Sequence, residues 1–152
     1  MTVQDIFTRD VATCTARTDL EHVIYLMIER ECGFVPVIDP DGSIAGVVTD
    51  RDICFALAAH RRPAAHVAVE EAMKHPVFSC FTDDDLSAAL ETMRKRRVRR
   101  LPVLNRAGRL QGVVSIDDIV LATSQKDAPT AEAVVAALRA ICAHRSVEAI
   151  PL

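Results

Sequence analysis

The sequence repeats itself. Shifted by 66 residues, Val3–Leu57 aligns with Val69–Thr123 without a gap, and sixteen of the 55 positions are identical. The identities fall in every part of the unit, among them Val11/Val77, Asp19/Asp85, Leu20/Leu86, Met27/Met93, Pro36/Pro102, Gly42/Gly108, Gly46/Gly112 and Asp52/Asp118. A register kept through turns, strands and helices together marks two copies of one supersecondary unit. A unit of about 55 residues buries too little surface to be secure alone. The repeat therefore predicts one module whose two halves share a core.

Each copy reads β-α-β-β-α, an α+β arrangement. A short apolar segment, Val11–Cys14 or Val77–Cys80, comes first. A helix follows, with Leu20, Val23, Ile24, Met27 and Ile28 on one face, matched by Leu86, Ala89, Leu90 and Met93. Thr18 and Glu21 form a candidate capping box at its start, and Asp84 takes the capping position in the second copy. The apolar runs Phe34–Ile38 and Leu101–Leu104 read as strands, whose internal prolines place them at an edge or a strand start. Asp39–Gly42 and Asn105–Gly108 are tight turns, with glycine at the left-handed position. The strands Ile44–Thr49 and Leu110–Ser115 then run into helices beginning near Asp50 and Ile116. The resulting division is 3–60 for the first repeat, 61–68 for a linker, 69–124 for the second repeat and 130–145 for a C-terminal helix capped by Thr130. That helix carries an apolar stripe of Val134, Val135, Leu138, Ile141 and Cys142, which either packs back on the module or meets a partner.

Several functions lose their footing at this stage. No apolar run reaches the ~18 residues that span a bilayer, and no basic-then-apolar leader opens the chain, so a cytoplasmic protein is expected. Five cysteines with no C-x-x-C among them fit reduced thiols rather than a disulfide framework or a zinc site. A net charge of −3 argues against whole-chain capture of nucleic acid. Catalytic motifs such as a nucleophile elbow, a P-loop or a zinc-binding helix are missing, which argues against an enzyme.

One constellation occurs twice. Gly46-Val47-Val48-Thr49-Asp50-Arg51-Asp52-Ile53 and Gly112-Val113-Val114-Ser115-Ile116-Asp117-Asp118-Ile119 each end a strand on a hydroxyl and place an aspartate three residues later. As structure, this is a capping box worth ~1 kcal/mol. As chemistry, the same helix start suits a phosphate, and a carboxylate one turn in can accept from two sugar hydroxyls. The copies differ in charge. Arg94–Arg100 holds six of the chain's 18 lysines and arginines, where copy one has Ile28–Phe34. Three readings stand: a solvated helix end, a phosphate clamp by Arg99 and Arg100, or a nucleic-acid patch, the last without interleaved aromatics.

The duplicated unit, with its Leu-Pro-Val strand and its Gly-x-x-Thr/Ser-x-x-Asp-Ile ending, resembles a tandem cystathionine-β-synthase (CBS) domain pair, or Bateman module, of the small bacterial stand-alone type. The resemblance covers Val3 to about Thr123. It implies two repeats packed through their sheets with pseudo-twofold symmetry, and a sensor that binds AMP, ADP, ATP or S-adenosylmethionine as a regulatory ligand and acts on a partner protein. It implies no catalytic cofactor and a homodimer. On the matching positions Asp52 and Asp118 would hold ribose hydroxyls, while Thr49 and Ser115 would face phosphates. Val11, Ala12, Phe34 and Val35 would line the cleft of Asp118, and Val77, Phe78 and Leu101 that of Asp52. The alternative is a ligand-free dimerisation module in which both hydroxyl-aspartate pairs are caps only.

Overall fold

In a computed structural model of the chain, residues 1–143 are described. Copy one supplies α1 (Leu20–Glu29), β1 (Phe34–Ile38), β2 (Ile44–Thr49) and α2 (Asp50–His60). Copy two supplies β3 (Cys80–Phe81), α3 (Leu86–Arg96), β4 (Arg100–Leu104), β5 (Leu110–Ser115) and α4 (Ile116–Ala122), and α5 (Ala131–Cys142) follows.

The hairpins are superposable in register. Phe34 pairs with Thr49 and Pro36 with Val47 in β1–β2, as Arg100 pairs with Ser115 and Pro102 with Val113 in β4–β5. Gly42 and Gly108 close the turns at φ 83° and 77°, each amide donating to the carbonyl of Asp39 or Asn105 at 2.9 Å. Only glycine holds that conformation without strain.

One proline meets the edge expectation and the other corrects it. Pro36 lies in the middle of β1, an edge strand of the two-stranded sheet β1-β2, whereas Pro102 lies mid-strand in β4, the central strand of the sheet β3-β4-β5. In copy one the Cys14 amide donates to the Pro36 carbonyl (3.1 Å) and the Ile38 amide to the Cys14 carbonyl (2.8 Å). The next bond of a parallel ladder would run from residue 36 to the carbonyl of Ala12, and proline has no N–H to give. Proline here ends the pairing with the first segment, and does not need a sheet edge to do so.

Two helix starts also move by one residue. Asp19 caps α1, accepting from the His22 amide at 2.8 Å, and Asp85 caps α3, accepting from Ser87 at 2.8 Å. Thr18 Oγ1 accepts from the Thr15 amide instead, and Asp84 Oδ2 from Phe81. On α1 the buried face is Leu20, Val23 and Met27. Ile28, at 67% exposure, stands about 100° round the helix from that axis.

Sequence order and spatial order part company at the start of each copy. Val3 and Phe7 are buried with Leu86, Leu101 and Ile119 in the core of copy two, while Val67 and Val69 are buried with Leu20, Val35 and Ile53 in the core of copy one. Backbone bonds fix this exchange: Leu86 donates to Met1 (3.0 Å), and Leu20 to Val67 (2.9 Å). Thr8 and Val113 then exchange amide–carbonyl bonds at 2.9 and 3.0 Å, and Val47 and Lys74 do the same at 3.2 and 2.8 Å. Each half therefore keeps its own core, not the shared one the repeat predicts, because the exchanged segments complete the two clusters separately; the halves are stitched by strand-like contacts at repeat-equivalent places.

Thr130 caps α5, accepting from the Ala133 amide at 3.2 Å. Val134 and Ala137 are buried against copy two, so the helix packs back on the module, whereas Val135 and Cys142 of the expected stripe are exposed. Residues 144 and 145 of the expected helix lie outside the described residues. Cys14 and Cys80 are core residues, and burial pushes both thiols up to about 12. Among the described residues no helix is long and apolar enough to cross a membrane.

Candidate functional site

The two hydroxyl-aspartate pairs form complete capping boxes at the junctions β2–α2 and β5–α4. Thr49 Oγ1 accepts from the Asp52 amide (3.2 Å) and donates to Asp52 Oδ2 (2.7 Å), which also takes the Thr49 amide at 3.0 Å. Ser115 and Asp118 repeat this at 3.1, 2.7 and 2.7 Å. One carboxylate oxygen of each aspartate is therefore committed to holding its helix start, and the other is left for further chemistry.

The second oxygens meet different surroundings. Asp52, 4% exposed, receives Lys74 Nζ on Oδ1 at 2.8 Å. Asp118 is half-buried, and among the described residues no cation pairs with it. Register explains the contrast, because Lys74 is the repeat partner of Thr8.

Each junction opens into a cavity. The larger, about 750 Å³, brings Thr49 and Asp52 of copy one against Val77, Phe78, Arg99 and Arg100 of copy two. The smaller, about 230 Å³, brings Ser115 and Asp118 against Val11, Ala12 and Phe34. Phe34 and Arg100 are themselves repeat partners, and both line both cavities. They form the shared wall at the middle of the module.

Two expected lining residues are elsewhere. Val35 and Leu101 are fully buried in the cores of copies one and two and line neither cavity. Successive strand side chains point to opposite faces, so Phe34 and Arg100 turn to the cavities and their neighbours turn inward. Sequence reading also missed Lys74, His75, Arg51 and Arg97 in the larger cavity, and Asp10 and Arg30, an ion pair at 3.1 Å, in the smaller. The usable signal was the unequal pair Thr8/Lys74, at a position where the backbone is otherwise the same in both copies.

The basic run divides at the end of α3, where Arg97 takes a left-handed conformation at φ 55°. Before it, Arg94 and Lys95 pair with Glu91 (2.6 and 3.4 Å), whose carboxyl is held down at about 2 by the Arg94 hydrogen bond. Arg96 lies over the Phe78 ring at 4.6 Å. After it, Arg97, Arg99 and Arg100 line the larger cavity. Five cationic side chains there face two carboxylates, Asp50 and Asp52, whereas two face two in the smaller cavity. The end of α5 reaches the same place: Ile141 lines the larger cavity, and Arg99 Nη2 donates to Cys142 Sγ at 3.5 Å.

The family model of the CBS domain matches the chain twice, over residues 3–59 and 69–124. The chain belongs to the CBS domain family. The two matches fall on the two copies of the internal alignment, and the fold is that of solved CBS domain pairs. One curated relative is an uncharacterized 33.4 kDa protein in a ribosomal RNA operon of Thermofilum pendens, 36% identical over 111 residues. That match covers 73% of this chain, which spans only 36% of the relative's length. Among solved structures, CBSX2 in complex with AMP is 25% identical, with a TM-score of 0.71 and coverage of 82% of this chain and 96% of that one. The CBS domain pair of protein MJ0100, in complex with 5′-methylthioadenosine and S-adenosyl-L-methionine, shares the fold at a TM-score of 0.73 and 23% identity, with the same coverages.

Proposed function

We propose that this CBS pair is a regulatory module that binds an adenosine ligand between its repeats and passes the bound state to a partner protein. One observation carries the reading: a cavity of about 750 Å³ that sets the hydroxyl-aspartate helix start of one repeat opposite apolar and arginine side chains of the other. Asp52 and Asp118 hold ribose hydroxyls through the oxygen not used in capping. Thr49 and Ser115 face the phosphates at the starts of α2 and α4, whose first amides are already held by the Gly33 and Arg99 carbonyls. Val77 and Phe78 in one cleft, and Val11, Ala12 and Phe34 in the other, cover the base. Bound ligand joins groups from both repeats, so it favours the relative orientation in which they meet, and that preference is the signal. The AMP bound by CBSX2 supports the ligand class. Five unpaired thiols suit a reducing, cytoplasmic setting.

Thermal melting with AMP, ADP, ATP and S-adenosylmethionine tests the reading. A binding ligand stabilises by ~2.7 kcal/mol at a hundredfold excess over Kd. Asp52→Asn and Asp118→Asn are each expected to remove binding at one cleft while the fold persists. The complete capping boxes favour a second reading, a ligand-free interaction module. Equal loss of stability in both variants, with no response to any of the four ligands, would establish it.

The same proposal makes the module a homodimer. Among the described residues, Tyr25 and Ile28 on α1, Phe55 on α2 and Leu121 on α4 are the most exposed large apolar side chains, and Phe55 and Leu121 are repeat partners. Sedimentation equilibrium should give twice the chain mass, and Phe55→Glu with Leu121→Glu should return it to the monomer.

A further inference from the structure

We infer that Lys74 sets the charge selectivity of the Asp52 cavity, which takes a nucleoside di- or triphosphate in preference to a monophosphate or an uncharged nucleoside. The inference rests on the adenosine-ligand reading of that cavity and adds the ligand's charge and the residue that senses it.

The argument starts from the repeat. Residues 8 and 74 hold the same backbone position, each exchanging two hydrogen bonds with the strand of the opposite repeat, Thr8 with Val113 and Lys74 with Val47. Backbone freedom is therefore equally restricted in the two, and only the side chains differ. Thr8 brings no charge to the Asp118 cleft. Lys74 puts its ammonium on Oδ1 of a carboxylate whose side chain is 3% exposed, while its own side chain remains 70% exposed. The stem is free to swing, and the carboxylate is not.

A ribose that donates to Asp52 Oδ1 competes with that ammonium for a carboxylate that is almost wholly enclosed, and binding pushes the lysine aside. An uncharged nucleoside gives the displaced lysine no new anion, so binding costs an ion pair at a buried carboxylate. A polyphosphate chain restores one, because the freed ammonium swings from Oδ1 into a cavity already lined by Arg97, Arg99 and Arg100. Each charge-assisted contact strengthens with the ligand's charge. The Asp118 cleft imposes no such exchange: its volume is about 230 Å³ and its charges balance, Arg30 and Arg100 against Asp10 and Asp118. The two clefts then sort ligands by charge, with the larger one reading polyphosphates.

Calorimetric titration of the full chain with adenosine, AMP, ATP and inorganic tripolyphosphate, without added magnesium and at two salt concentrations, tests this. Affinity at the Asp52 cavity should rise from adenosine through AMP to ATP, the last step by at least about tenfold, the size of one hydrogen bond between charged groups. Lys74→Thr, which installs the repeat partner's residue, should weaken ATP by about tenfold or more and leave adenosine unchanged or tighter, whereas Lys74→Arg should keep the order. Tripolyphosphate should bind the parent chain, more weakly at higher salt, and lose affinity in Lys74→Thr. Nucleosides binding in an order indifferent to charge, or ATP affinity unmoved by Lys74→Thr, would overturn the inference and leave the adenosine reading standing. Tripolyphosphate binding with no response to any nucleoside would overturn the adenosine reading and with it the nucleotide assignment made here.

Discussion

Gly112→Ala is expected to lower the melting temperature several-fold more than Gly46→Ala, although the two glycines are repeat partners. A methyl group at 112 would overlap the backbone oxygen of Thr8 outright and come within 2.7 Å of the Phe7 ring. The carbonyl cannot retreat without breaking the two bonds between Thr8 and Val113, and Phe7 is packed in the core of copy two. Overpacking of this kind costs ~1–3 kcal/mol, and two hydrogen bonds add ~1 kcal/mol each. A total of ~3 kcal/mol or more corresponds to roughly 6–12 °C for a domain of this size. At 46 the nearest atom, 2.9 Å away, is Met73 Sδ, with the Lys74 carbonyl oxygen at 3.2 Å. Methionine has three soft torsions and can yield, so about 1 kcal/mol is expected there. Differential scanning calorimetry of the two variants decides it. Equal shifts would mean that the crossing of the N-terminal segment onto β5 gives way as readily as a side chain.

That contrast also locates the limit of what could be read from the sequence. The hairpins, their turn glycines and the starts of α2 and α4 were legible because each rests on a local rule: alternation, a left-handed glycine, a hydroxyl before a helix. The caps of α1 and α3 were not. Thr18 and Asp19 are both good capping residues, and the choice is made by a distant partner, the Val67 carbonyl that takes the Leu20 amide. The exchange of Val3 and Val69 between the two cores is a tertiary event with no local mark. In the candidate site, Asp52, Asp118, Thr49 and Ser115 were found because they recur. Lys74 was passed over because it lies outside the recurring motif, though its mismatch with Thr8 was visible in the alignment.

Leu101 and Arg100 should separate stability from ligand recognition within one pair of adjacent residues. A wholly apolar strand hides which side chains face which way, and Val35 to Val37, like Leu101 to Val103, are buried in unbroken runs. The packing resolves it. Leu101 is fully enclosed among Phe7, Leu86, Met93 and Ile119, and Leu101→Ala should cost ~3–5 kcal/mol, the transfer term plus the cavity left behind. Urea unfolding should show that loss, while ligand affinity per folded molecule stays within about twofold, because the side chain reaches neither cavity. Arg100→Ala should do the reverse. Arg100 is half-buried as a residue, its side chain makes no hydrogen bond or ion pair among the described residues, and it lines both cavities. Its removal should leave stability within about 0.5 kcal/mol and weaken a phosphate-bearing ligand at both clefts by about tenfold or more, the worth of a hydrogen bond to a charged group. Phe34, its repeat partner on the same wall, gives the control: Phe34→Leu should also act on both clefts, but through lost apolar contact and without regard to ligand charge. If Arg100→Ala weakened one cleft and spared the other, the wall would not be shared, and the two clefts would have to be treated as independent sites.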